Sequence, residues 1–365
     1  MEFFQTSVSE KATANAVEVL KSGWLSEGKI VRQFEDALAN ECGIVNPVAV
    51  NSGTAALHMA LIVAGVNPGD EVILPAQTFV ATGTVILMQG AIPVFSDIQD
   101  TTGNISPESI KKKITEKTKA IIPVHWGGYP CDMDEINFIA KEKNLVVIED
   151  AAHALGALYK NRTMGSLSKF TAFSFQAIKL LTTGDGGVLA CLEEKDASRT
   201  KVLRWFGIDR EKSKPSVLGE REYDICEYGY KYHLNDLAAA IGLGNLEILQ
   251  NNLTYRRKIA RYYRNAFKKI AGLELLDYQN DRESSFWLFT LLVEKREDFI
   301  LSLKRQGVPA SVVHLRIDKN SIFGGITPGL TGQEIFDRKQ VSIPIHTGLS
   351  DDDVELVVKS IKGGW

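Results

Sequence analysis

Lys179 stands in the run SFQAIKLLTTGDGG, Ser174 to Gly187, between a strand end and a glycine-rich turn. An amine held there, partly out of water, loses affinity for its proton and becomes a nucleophile able to form a Schiff base with an aldehyde. A lysine after a strand is more often a solvated surface charge, so its neighbours must decide. FTAFSF (170–175) and GGVLAC (186–191) read as apolar strands, and Thr182 to Gly187 is turn chemistry. Lys179 is therefore expected on a connection between two core strands.

Other strand ends carry groups that complement such an amine. In VVIEDAAHALG (146–156), Glu149 and Asp150 end an apolar strand, where a buried charge demands a partner. A protonated pyridine nitrogen is a suitable partner for Asp150, and His153 follows within reach of the same ring. NSGTAAL (51–57) opens a helix after VAV, so backbone N–H groups with Thr54 and Ala55 would face a phosphate, with Ser174 adding a hydroxyl. The same SGT also reads as a plain helix cap. Phe79 in PAQTFVAT reads either as a core aromatic or as a ring stacked on a flat cofactor. A phosphate cradle, a stacking ring, a carboxylate for a ring nitrogen and an amine for an aldehyde are together the contacts of pyridoxal 5′-phosphate (PLP).

These residues need a scaffold that brings strand ends together. From Val48 to Cys191, short apolar runs (VAVN, EVILP, PVFSD, AIIPVH, VVIED, FTAFSF, GGVLAC) alternate with helix-like segments. That rhythm predicts a three-layer α/β/α domain around a mainly parallel seven-stranded sheet. Ligands of such sheets bind beyond the carboxyl ends of the strands, where the residues above lie. REKSKPSVLGEREYD (210–224) reads as a long surface loop, and the stretch from Asn235 to Ile270 as one long helix or two in line. Residues 1–245 are expected to form the large PLP-binding domain with an N-terminal segment. Residues 246–365, with strand-like FWLFTLLVE and helical DFILSLKRQG, are expected to form a smaller α+β domain.

Composition narrows the function classes. The chain has 365 residues, 44% hydrophobic and 24% charged, and a net charge of −3 with no long basic block, which argues against a nucleic-acid partner. No run approaches the roughly 20 apolar residues of a membrane-spanning helix, and the N-terminus lacks the pattern of a signal peptide. Cys42, Cys131, Cys191 and Cys226 are widely spaced, so neither a metal site nor a disulfide framework is indicated and a cytoplasmic setting is expected.

In their order along the chain, SGWLSEGKIVRQFEDALA, NSGTAALHMAL, GDEVILPAQTFVAT, GAIPVFSDI, IEDAAHALGA, SFQAIKLLTTGDGG, GYKYHLNDLAAAIGL and SIPIHTGLSDDDVELV resemble the DegT/DnrJ/EryC1/StrS sugar aminotransferases. These have the fold type I, aspartate aminotransferase-like architecture. The resemblance implies that Lys179 carries the cofactor, Asp150 partners its ring nitrogen, His153 touches its 3-hydroxyl, and Thr54, Ala55 and Ser174 hold its phosphate beside Phe79. It also implies a homodimer with shared active sites, in which a loop matching GYKYH (229–233) reaches the neighbour's phosphate. Here Lys231 replaces the usual Asn of that loop and His233 the usual Arg.

Trp24, Ser26, Trp126, Gln176, His314 and Arg316 are the positions implied for the substrate, and Gln176, Trp126 and the HLRID run depart from the common pattern. The implied reaction moves an amino group from L-glutamate to a keto carbon of a nucleotide-linked keto-deoxysugar. C4 is the expected position, because KLLTTGDGG is closer to the C4-acting relatives than to C3-acting ones. A sugar dehydratase of the same family and a non-catalytic PLP-binding regulator are the alternatives. The presence of Lys179 and the unclustered cysteines weigh against the dehydratase.

Overall fold

A computed structural model of the chain describes residues 1–210 and 212–365. Two helices lead into it. Helix α1 (Glu10–Ser22) is capped by the Ser9 hydroxyl, which accepts from Ala12 N–H, and α2 (Lys29–Cys42) buries Val31, Phe34, Glu35 and Leu38 along one face.

The large sheet then grows by βα units: β1 (Pro47–Val50) and α3 (Gly53–Val63), β2 (Glu71–Pro75) and α4 (Val80–Met88), β3 (Ile92–Ser96) and α5 (Pro107–Lys113), β4 (Thr118–Ile121) and α6 (Met133–Glu142), and β5 (Val146–Asp150). After a small pairing of β6 (Leu158–Tyr159) with β7 (Arg162–Thr163), β8 (Phe170–Ser174) and β9 (Gly187–Cys191) complete it, followed by α7 (Glu194–Leu203). The order is β1-β9-β8-β5-β4-β2-β3, with β9 antiparallel to both its neighbours and every other pair parallel. The fold is the mainly parallel seven-stranded α/β sheet expected. Because β9 alone runs backwards, its first residue lies at the same edge as the last residues of β1, β5 and β8. Ser174 faces Gly187 across the ladder, and the twelve-residue connection between them carries Lys179.

The expected surface loop at 210–224 contains Glu211, which lies outside the described residues; beyond it the chain makes a small exposed hairpin, β10 (Lys214–Pro215) with β11 (Arg221–Glu222). Helix α8 (Asp236–Ala266) is one unbroken 31-residue element and crosses position 245 without a kink. Its C-terminal part packs with a second layer: an antiparallel sheet of β12 (Leu273–Leu275), β14 (Phe289–Val293) and β15 (Gln340–Ile343), backed by α9 (Arg296–Arg305) and α11 (Asp351–Lys362). Helix α10 (Thr331–Lys339) leads into β15, and β13 (Arg282–Glu283) pairs back onto β6, making a separate three-stranded sheet with β7. The N-terminal residues also cross over, with Phe4 stacked on Trp287 and the Glu2 carbonyl bonded to His346.

Candidate active site

The connection after β8 is a tied loop. Phe175 N–H donates to the Gly186 carbonyl (2.8 Å), Thr183 N–H to the Phe175 carbonyl (3.0 Å) and Lys179 N–H to the Gln176 carbonyl (2.9 Å). This holds the Lys179 ammonium inside a cavity of about 440 Å³, within the range of small-molecule sites. Burial pulls its pKa down to about 7, with the Asp150 charge opposing the shift. A large share of the side chain is therefore a neutral amine at neutral pH, the form that attacks a carbonyl and accepts protons.

At the end of β5, successive side chains point to opposite faces of the sheet. Glu149, fully buried, accepts from His125 Nε2 (3.0 Å) and from the Thr171 hydroxyl (3.2 Å). His125 Nδ1 accepts from Cys131 N–H, so the proton of that ring is on Nε2 and the glutamate is satisfied. Asp150 points into the cavity. Its Oδ2 accepts from the Thr82 hydroxyl (2.7 Å), which Thr78 Oγ1 contacts at 2.7 Å, and its Oδ1 accepts from Ala152 N–H. Burial raises the Asp150 pKa, the two donors only partly opposing it, so this carboxylate gains from a cation placed beside it.

The start of α3 also borders the cavity. The Ser52 hydroxyl caps α3 by accepting from Ala55 N–H (3.0 Å), which orients the helix start toward the Thr54 and Ser174 hydroxyls lining the cavity. Close approach builds this corner: a Cβ on Gly187 would sit 2.6 Å from the Ser52 carbonyl carbon, and one on Gly53 2.9 Å from Ser174 Cβ. Gly187→Ala must push the cap aside and is expected to cost about 1–3 kcal/mol. Thermal denaturation would show it as a lowered Tm, accompanied by weaker cofactor retention on dialysis.

The DegT/DnrJ/EryC1/StrS aminotransferase family model matches residues 6–362. The chain belongs to this family. It is 38% identical to the spore coat polysaccharide biosynthesis protein SpsC of Bacillus subtilis, over 97% of this chain and 94% of that one. It is 31% identical to a UDP-4-amino-4-deoxy-L-arabinose–oxoglutarate aminotransferase of Shewanella sediminis, over 97% and 95%. The crystal structure of the sugar aminotransferase CalS13 from Micromonospora echinospora superimposes with a TM-score of 0.95 at 33% identity, covering all of both chains. The cofactor of this aminotransferase family is PLP, and the residues present fit it. A buried amine, a buried carboxylate short of a cation and a helix start with two hydroxyls line one cavity.

The aminotransferase completes the cavity with rings. His153 stacks on the Trp287 indole, with centroids 3.8 Å apart and planes at 16°, and His314 lies 5.7 Å from His153 at 13°. Phe79 sits 5.3 Å from His314 at the mouth, half exposed. His153 Nδ1 and His314 Nε2 have no hydrogen-bond partner among the described residues. Burial drives the His153 pKa well below the usual range and that of His314 to about 4, so both rings are neutral and free to bond a ligand.

Thr54, Phe79, Asp150, His153, Ser174, Gln176, Lys179 and His314 thus line one cavity, whereas other residues singled out in the sequence do not. The Ala55 side chain is buried within α3, and only its N–H serves the cap. Trp126 is fully buried behind His153, with Nε1 donating to the Thr290 hydroxyl (3.2 Å). Arg316 is turned away because a buried guanidinium needs a carboxylate, and it finds Asp318 two residues on, with bonds of 2.7 and 2.6 Å. Trp24 borders a separate groove between α1, α2 and α8, and the Ser26 carbonyl accepts from Asp236 N–H. Lys231 is exposed, its carbonyl accepting from Asn51 Nδ2 beside the cap.

Sequence reasoning passed over Thr78, Thr82, Phe4 and Trp287, all on the cavity wall. Thr82 was within reach, as a hydroxyl in the singled-out PAQTFVAT run. Trp287 was not, since FWLFTLLVE carries only the signal of a buried strand.

Proposed function

We propose that this chain transfers the amino group of L-glutamate to C4 of a nucleotide-linked keto-deoxysugar. The observation that carries the proposal is the buried Lys179 amine, with a pKa near 7, sharing one cavity with Asp150 and the α3 helix start. The S. sediminis relative is named for a 4-amino sugar and for oxoglutarate, the keto acid left when glutamate gives up its amine. That name supports both the donor and the C4 position, and the KLLTTGDGG run supports the position.

PLP, when bound, supplies an aldehyde to hold the amino group and a conjugated ring that accepts negative charge from the adjacent carbon. The chain does the rest. The α3 start, with Thr54 and Ser174, binds the phosphate. Asp150, fixed by Thr82 and Ala152, holds a proton on the ring nitrogen. His153 Nδ1, which has no partner among the described residues, would hold the ring hydroxyl. Lys179 Nζ, neutral above about pH 7, takes the proton from the glutamate Cα and returns one to the sugar carbon in the second half of the cycle. Phe79, Phe4 and Trp287 shield these transfers from water. Gln176 and His314, on the cavity wall, are assigned to the sugar.

We further assign a homodimer in the cytoplasm. Support for the dimer comes from exposed apolar side chains on the α1–α2 connection (Trp24, Leu25) and on the loop leading to Lys231 (Val217, Leu218, Tyr228). The cytoplasmic setting is supported by four unbridged cysteines. Among the described residues, no helix is long and apolar enough to cross a membrane.

The test starts with the visible absorbance of the purified protein, which should show a PLP band that converts to the amine form when L-glutamate is added. A panel of nucleotide-linked 3-keto and 4-keto sugars then follows amine transfer, with the product position read by NMR. A band indifferent to glutamate removes the donor assignment, and an amine at C3 removes the position.

A further inference from the structure

We propose that Trp287 is a positioning residue of the amino-transfer site, its indole face holding the protonated amine of Lys179 and the ring of His153 in fixed relation to one another. Lys179 Nζ lies 3.8 Å from the centre of the Trp287 ring, and His153 stacks on the same indole. The indole N–H donates to the carbonyl of Ile178, the residue before Lys179, at 2.9 Å. One side chain thus holds the backbone of the lysine turn, the lysine head and the nearer imidazole. Phe4 stacks against it at 5.4 Å.

The backbone is shaped to aim this ring. Phe286 has φ of +50°, a left-handed conformation that costs a bulky residue of its type energy and persists only where the surroundings enforce it. Here Arg256, buried in α8, donates to the carbonyls of Phe286 (3.3 Å) and Ile345, and Ser284 Oγ accepts from Phe286 N–H (3.0 Å). A guanidinium spent on two carbonyls, next to a strained residue whose successor meets Lys179, indicates a conformation kept for Trp287.

The chemistry asks for such a surface. Lys179 must alternate between a neutral and a charged amine, and burial opposes the charged form. The charged or titratable groups facing it are Asp150 at the end of β5, His153, His314 and Asp185 across the cavity. The two imidazoles are neutral, so besides the carboxylates the indole face is what attracts the ammonium. The inference rests on Lys179 being the reacting amine. If that reading fails, wild-type protein carries no lysine-bound PLP, whereas failure of the inference shows in the cofactor-free protein.

In that cofactor-free protein, labelling of Lys179 by trinitrobenzenesulfonate is followed against pH by peptide mass spectrometry. Trp287→Leu keeps the site apolar but removes the π face, so the labelling midpoint is expected to fall by about one pH unit, and Trp287→Phe to restore most of it. An unchanged or raised midpoint in the leucine variant, or equal shifts in both, overturns the proposal. A second measurement needs no Trp287 variant. Indole fluorescence of the cofactor-free wild type should titrate with the labelling midpoint, and that component should vanish in Lys179→Met; identical titrations in the two proteins overturn it equally.

Discussion

A Lys179→Arg enzyme is expected to transfer amino groups roughly 10³–10⁴-fold more slowly than wild type. Arginine keeps the positive charge, but its guanidinium holds its proton at any working pH and can be neither nucleophile nor base. PLP would still enter, held by the α3 start and Asp150. Borohydride reduction followed by peptide mass spectrometry should then find no cofactor mass at position 179. The wild type supplies the complementary pH dependence. With the Lys179 pKa lowered to about 7, raising the pH through that value removes the proton and exposes the lone pair, so PLP uptake by the cofactor-free protein should accelerate across that midpoint. The sign of the stability effect follows. The unfolded lysine, with a pKa of about 10.4, binds more protons than the folded one between about pH 7 and pH 10, so the cofactor-free protein gains stability from this group as pH rises through that window. Turnover by Lys179→Arg within tenfold of wild type would move the proton-transfer role to another residue.

How far the site was legible in the sequence depended on whether chemistry and backbone coincided. Asp150 could be found because it breaks an apolar pattern at a strand end, where burying a charge requires a reason, and Lys179 because the strands and turn around it put it on a connection at that same edge. The seven strands were legible as short apolar runs, including the β8–β9 pair that carries the lysine connection. What periodicity could not give was the direction of β9, since an apolar run reads the same whether its strand is parallel or antiparallel. Residues that enter the cavity from far along the chain were also hidden. Trp287 reaches Lys179 through a left-handed turn at Phe286 that no pattern announces. Arg316 misled for the opposite reason, since a free-looking arginine in an unusual run had its own carboxylate at Asp318, and only the three-dimensional turn shows the pair closing on itself.

Asp150→Asn is the second variant with a large expected effect, and it separates charge from shape. The amide has the size of the carboxylate; its oxygen can still accept from Ala152 N–H and its Nδ2 can donate to the Thr82 oxygen, 2.7 Å from the wild-type carboxylate, so the pocket should keep its form. What disappears is the negative charge that would hold a proton on the ring nitrogen. Removing one member of a buried charged pair costs about 3–5 kcal/mol, so kcat is expected to fall roughly 10²–10⁴-fold. The loss should appear in kcat rather than in the KM for glutamate, because the charge matters most as negative charge develops on the reacting carbon. Stability should move the other way in the absence of cofactor. Burial raises the Asp150 pKa, so above its unfolded value the folded wild type holds a proton that the unfolded chain has released, and its stability falls as pH rises to the folded pKa. Asparagine carries no such liability, and the cofactor-free variant should melt at or above the wild-type temperature at neutral pH. Lost turnover combined with an equal or higher Tm would mark Asp150 as a residue kept for chemistry at the expense of the fold. A variant that loses both together would show that the carboxylate is needed to build the pocket.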